Sequence, residues 1–153
     1  MDKLTQLVVF HLGEQRYALP LDTVQRIVRA VEVTPLPGAP AVVLGVINVA
    51  GCVLPVLSLR QRFRLPEREI GPADQFVLAQ MSQRTVALVI DEAQGVIERE
   101  ASAVVGSDRI APGLEQFHGV VKLDDGLVLI HDLQTFLSLD EARALDQAMD
   151  RGT

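Results

Sequence analysis

A chain of 153 residues is one domain's length by the usual prior and is long enough to remove roughly 70% of its unfolded surface from water. Hydrophobic residues at 48% against charged residues at 22% exclude a disordered or low-complexity chain. The 14 basic and 20 acidic side chains leave a net charge of −6, the wrong sign for holding a phosphate backbone, so nucleic acid is not an expected partner.

The single Cys52 can neither close an internal disulfide nor supply the paired thiolates of a zinc site, which points to a reducing compartment. Met1-Asp2-Lys3-Leu4-Thr5 lacks the positive region and apolar stretch of a secretory signal, so the cytoplasm is expected.

In chain order, Leu7 to Leu12 and Arg16 to Leu21 are apolar runs of strand length around Gly13-Glu14, which reads as a hairpin. Arg26 to Val33 adds a third strand. Thr34-Pro35-Leu36-Pro37-Gly38-Ala39-Pro40 is too rich in proline for a ladder and predicts a stiff exposed connection. Ala41 to Leu59 carries no charge over 19 residues, about the length of a membrane helix. Its glycines, its proline and its β-branched residues favour two buried strands instead, Val46 to Val49 and Cys52 to Val56, turning at Ala50-Gly51.

Past the basic cluster Arg60, Arg62, Arg64 and Arg68, read as solvent-facing around a short turn, the pattern begins again. Phe76 to Met81 and Thr85 to Ile90 flank Ser82-Gln83, Gly95 to Ala101 follows, and Val120 to Leu123 pairs with Leu127 to Ile130 across Asp124-Asp125-Gly126. About five short strands per half is the spacing of small barrels. Ser138-Leu139-Asp140-Glu141 is a capping-box sequence, and Ala142, Leu145, Ala148 and Met149 recur at helical spacing before Gly152, which predicts a helix over 139–150 with one apolar side.

The chain is an internal duplication. At an offset of 69, Tyr17 to Gln25 lies over Val86 to Gln94 with Ala, Leu, Asp and Gln at matched places. At an offset of 74, Gly45-Val46-Ile47 lies over Gly119-Val120-Val121, which places a five-residue insertion between Glu98 and Phe117. The halves run over about 1–69 and 70–137. Each is too small to be more than marginally stable alone, so one domain over 1–153 with a shared core is expected.

Catalytic candidates are weak. His131 and Asp132 are adjacent on a strand and face opposite sides, so they cannot readily form a general base and its orienter, and a surface or capping role is expected for His131. His11 and His118 have no nucleophile or phosphate loop beside them. Asp22 and Asp91 recur in the repeat where a carboxylate would cap a local turn, and Cys52 lies in an apolar strand with no nearby cation. No catalytic, cofactor or metal residue is assigned. Residues 1–69 balance at +2 and residues 70–153 at −8, an asymmetry able to orient docking or simply to keep solvated faces soluble.

Phe10-His11-Leu12-Gly13 with Tyr17 to Leu21 and Val24-Gln25-Arg26-Ile27, Thr34-Pro35-Leu36-Pro37 through Gly45 to Gly51, Val53-Leu54-Pro55-Val56, Val89-Ile90-Asp91 and Gly119 to Leu123 together resemble the CheW-type coupling proteins of bacterial chemotaxis. The resemblance implies an all-β chain of two intertwined, pseudo-symmetric five-stranded SH3-like barrels with a C-terminal helix. It implies no enzymatic activity, no cofactor and no membrane insertion. The implied partners are the regulatory domain of a CheA-type histidine kinase, itself a similar double barrel, and the cytoplasmic tip of a methyl-accepting chemoreceptor. In that picture the groove between the halves takes a receptor helix and a barrel end takes the kinase, at membrane-associated receptor assemblies. Carried over residue by residue, the partner-binding positions are Val24, Arg26, Gly45, Asn48, Val49, Ala50 and Gly51.

Two of these depart from the family pattern. Arg26 stands where the family commonly has Glu, and Ala50 where it has Arg. The alternative reading is a related double-barrel module that binds or inhibits a kinase in a surface-motility or other non-flagellar pathway without classical receptor coupling. Ser58 stands where an Asp is expected, although Asp132 keeps it in the second half, so a local cap is expected to be lost.

Overall fold

The computed structural model describes residues 4–106 and 117–152. The first half gives β1 (Leu4–Leu12), β2 (Gln15–Pro20), a 3-10 turn at Leu21–Thr23, β3 (Val24–Arg29), β4 (Val43–Val49), β5 (Cys52–Leu57) and a single helical turn, α1 (Leu59–Arg62). The second half gives β6 (Gln75–Gln80), β7 (Thr85–Ile90), β8 (Glu92–Glu100), a 3-10 turn at Ala101–Ala103, β9 (Val104–Gly106), β10 (Phe117–Leu123) and β11 (Gly126–His131). A 3-10 turn at Leu133–Thr135 then leads into α2 (Leu139–Gly152). The uncharged stretch Ala41 to Leu59 is β4, β5 and their flanks, and no helix of the described residues is long and apolar enough to cross a membrane. The insertion expected between Glu98 and Phe117 falls partly on residues 107–116, outside the described residues.

The halves exchange hairpins. One sheet runs β3-β6-β7-β5-β4 and the other β8-β1-β2-β11-β10-β9. The opening hairpin of each half therefore joins the remaining strands of the other, through parallel contacts of β5 with β7 and of β11 with β2. Both sheets close. In the larger one β8 and β9 stand at opposite edges yet are linked by three residues, Ala101–Ala103. Those residues advance about 6 Å in a 3-10 turn, while the edges of a flat six-stranded sheet lie about 24 Å apart. In the smaller sheet Thr34, past the end of β3, exchanges two backbone hydrogen bonds with Val46 of β4, at 2.9 and 2.8 Å. The intertwined double barrel implied by the resemblance is present; below, the β3-containing sheet is barrel one and the β8-containing sheet barrel two.

The exchanged hairpins are apolar on both faces because both faces are buried. Along β1, Leu7 and Val9 point into barrel two while Phe10 and Leu12 point between the barrels; on β6, Phe76 and Leu78 fill barrel one while Val77 and Ala79 face the same central core. Phe10, Phe76 and Phe136 are among the largest fully buried side chains. The third strand ends earlier than expected. After Arg29 the chain leaves the ladder, Ala30 N donating to Asp74 O, so Val31 to Val33 are not strand.

The helix α2 covers the central core with Leu145, Ala148 and Met149. Its start is the expected capping box: Glu141 N donates to Ser138 Oγ at 3.1 Å and Ser138 N to Glu141 Oε1 at 3.0 Å.

Candidate functional site

The β4–β5 hairpin is a two-residue turn in which Ala50 (φ +50°) and Gly51 (φ +86°) both adopt positive φ, the geometry of a type I′ turn. Asn48 Oδ1 accepts from Gly51 N at 2.9 Å and stiffens it. Asn48 and Ala50 are exposed, Val49 packs half-buried on the core of barrel one, and Val53, opposite Asn48 in the register, remains 40% exposed. The tip thus presents an apolar side chain beside an amide on a rigid turn.

Gly45 sits below this surface, buried at a bulge. A Cβ there would overlap the Thr34 carbonyl and Val33, and its φ of +152° is one that side chains rarely adopt. Its absence of a side chain is what lets Thr34 close the barrel on Val46. Gly119 does the same in barrel two, where a Cβ would overlap the Val105 carbonyl. The recurrence of these two glycines has a steric cause.

Val24 and Arg26 lie apart from the hairpin tip, at a bulge that opens β3. Val24 packs against the central core, and Arg26 is exposed with no ion pair among the described residues. The structure therefore gathers Gly45, Asn48, Val49, Ala50 and Gly51 on one hairpin and places Val24 and Arg26 on another strand, β3, paired with β6.

Several expectations are corrected. His131 is fully buried against the rings of Phe63 and Phe136, at 5.1 and 5.6 Å, and serves the core rather than a surface or a cap; Leu57, its repeat equivalent, is equally buried. The side chain of His118 lies outside the described residues. Cys52 is free and exposed at the start of β5. The cap thought lost at Ser58 is present, Gln61 N donating to Ser58 Oγ at 3.1 Å, as Gln134 N donates to Asp132 at 3.1 Å in the second half. A hydroxyl accepts that bond as well as a carboxylate does.

The basic cluster is not simply solvated. Arg60 pairs with Asp91 at 2.8 Å, Arg62 with Glu141 at 2.6 Å, and Arg68 with both Asp74 and Asp91 at 2.8 and 2.6 Å. Arg16 pairs with Asp125 at 2.8 Å. Each of these joins an arginine of residues 1–69 to an acid of residues 70–153, so these ion pairs tie the two parts of the chain together. Asp22 and Asp91 do not act alike either. Asp22 is exposed and makes no side-chain cap, whereas Asp91 reaches across to Gly13 N at 2.7 Å and to two arginines.

Burial alone would raise the Asp91 carboxyl, but Arg60, the Gly13 amide and Arg68 outweigh it and hold it below the usual carboxylate range. Glu141 is likewise lowered: burial opposes, and the Ser138 amide and Arg62 prevail. Sequence reasoning missed this network. The signal available was the run of arginines from Arg60 to Arg68 set against the acidic excess of residues 70–153.

Residues 6–141 match the family model of the CheW-like domain. The chain is 30% identical over 150 residues to the chemotaxis protein CheW of Treponema pallidum, covering 94% of this chain and 88% of that protein. It is 28% identical over 150 residues to CheW of Bacillus subtilis, covering 94% of each. The crystal structure of the scaffolding protein TtCheW from Thermoanaerobacter tengcongensis superposes with a TM-score of 0.81 at 25% identity, over 92% of this chain and 96% of that one.

Proposed function

The chain belongs to the CheW-like domain family, and on that premise we propose that it is a non-enzymatic coupling scaffold of chemotaxis-type signalling, joining the regulatory domain of a CheA-type histidine kinase to the cytoplasmic tip of a chemoreceptor. The observation that carries the reading is the family match over residues 6–141, which takes in strands of both barrels. The residues proposed to meet partners are Asn48, Val49, Ala50 and Gly51 on the β4–β5 hairpin, held in place by Gly45, with Val24 and Arg26 at the start of β3. The work of such a protein is done by surfaces: apolar anchors such as Val53 supply affinity, and exposed charges such as Arg26 supply orientation and discrimination. Coupling follows because each partner bound biases the assembly that holds the other. The cytoplasm, at receptor assemblies, is the proposed location.

Titration calorimetry against the regulatory domains of the CheA-type kinases encoded beside it tests the reading. Binding with a dissociation constant near 1 μM, about −8 kcal/mol, is expected. A folded protein that binds none of them removes the coupling function.

A further inference from the structure

The duplication places one aspartate at each crossing between the barrels. Asp22 follows β2, where the chain leaves barrel two for barrel one, and Asp91 follows β7, where it returns. The two crossings are built differently. Asp91 is the single residue between β7 and β8, its N donates to His11 O at 3.1 Å, and its carboxylate accepts from Gly13 N of the β1–β2 turn in barrel two. The same carboxylate receives Arg60 of α1, through both oxygens at 2.8 and 2.9 Å, and Arg68 at 2.6 Å, both from the barrel-one side. At the other crossing Asp22 is exposed within a three-residue 3-10 turn, whose Thr23 hydroxyl bonds only locally, to Pro20 O at 2.7 Å.

From this contrast we infer that Asp91 is the positioning residue that fixes how the two barrels face each other, and that the crossing at Asp22 is the hinge about which they turn when the Asp91 contacts are released. A carboxylate accepting at once from an amide of one body and two guanidinium groups of the other is a directional clamp, since charge-assisted bonds lose strength steeply when misaligned. A short, half-exposed 3-10 turn without long-range side-chain polar contacts absorbs changes of backbone angle at low cost. The clamp sets the width of the groove between the barrels. That last step rests on the coupling function proposed above, whereas the clamp itself does not.

The test measures the distance between nitroxide labels on the native Cys52 of barrel one and on an Asp124→Cys change in the exposed β10–β11 turn of barrel two, by electron double resonance on the full chain. The wild type is expected to give one narrow distribution. Asp91→Asn should broaden it about twofold, and Arg68→Gln, which removes one donor, should broaden it less. Asp22→Asn and the core-weakening Val121→Ala should keep the wild-type width. Equal widths in folded Asp91→Asn and wild type, or equal broadening by Asp22→Asn, would overturn the inference. If Asp91→Asn does not fold, Arg68→Gln decides on the same criterion. Unlabelled Asp91→Asn should also bind the kinase regulatory domain several-fold more weakly than Asp22→Asn does. A wild type that binds no such domain while the distances behave as expected overturns the coupling function and leaves the clamp standing.

Discussion

At the scale of single residues, backbone geometry decides more than side-chain chemistry. Gly45→Ala should lower stability by about 2–4 kcal/mol, from a disfavoured φ and from overlap with the Thr34 carbonyl, as read by chemical denaturation. Gly119→Ala should cost less, since a Cβ there overlaps the Val105 carbonyl and the Val104 side chain without the added penalty of a disfavoured φ. Ala50 holds a left-handed conformation without being Gly or Asn. On the proposed reading, in which Arg26 and Ala50 face the partner, the combined Arg26→Glu and Ala50→Arg change should not improve affinity for this protein's own partner. Calorimetry showing a clear gain would instead make the two residues accidental losses.

At the scale of elements, α2 is held by a buried apolar stripe and pinned at its first turn by charge. Leu145→Ala should cost about 2–5 kcal/mol and expose the central core. The pin has a pH signature. Glu141 and Asp91 both have carboxyl groups held below their unfolded values, so each adds stability that is complete above the ordinary carboxylate range and is lost as pH falls from about 4 through the lower folded values. Thermal melts should therefore fall more steeply below pH 4 for the wild type than for Asp91→Asn or Glu141→Gln, whose curves should be flatter there. The other anchor of α2, Arg84 with Asp146 at 2.7 Å, leaves its acid half exposed, so it should add little.

At the scale of the whole molecule, exchange of hairpins makes the barrels inseparable. Neither barrel contains only one half's strands, and the same two hairpins line both barrels and the core between them. Unfolding should accordingly be a single transition: Phe76→Ala, a change inside barrel one, should shift the midpoint reported by probes on both barrels together. Residues 1–69 and 70–153 expressed apart should each lack a cooperative melt, and mixing them should restore β-sheet circular dichroism. Two separate transitions, or a half that folds alone, would contradict this.

Periodicity and turn chemistry made the strands, the hairpins, the capping box and the duplication legible in the residues themselves, because each depends on neighbours a few positions apart. The candidate hairpin from Gly45 to Gly51 could be read the same way. Contacts between distant positions could not. That Asp22 and Asp91, identical in the repeat, end as an exposed turn residue and a half-buried clamp depends on which arginines lie beside them. That Arg60, Arg62 and Arg68 are paired from within while Arg64 stays exposed, and that His131 belongs to the core, depends equally on how the halves interlock. Local sequence determined the parts, two half-copies of one strand pattern and a capped helix; the tertiary structure decided their partners, since burial and ion pairing are set by what the chain brings alongside rather than by what lies next in it.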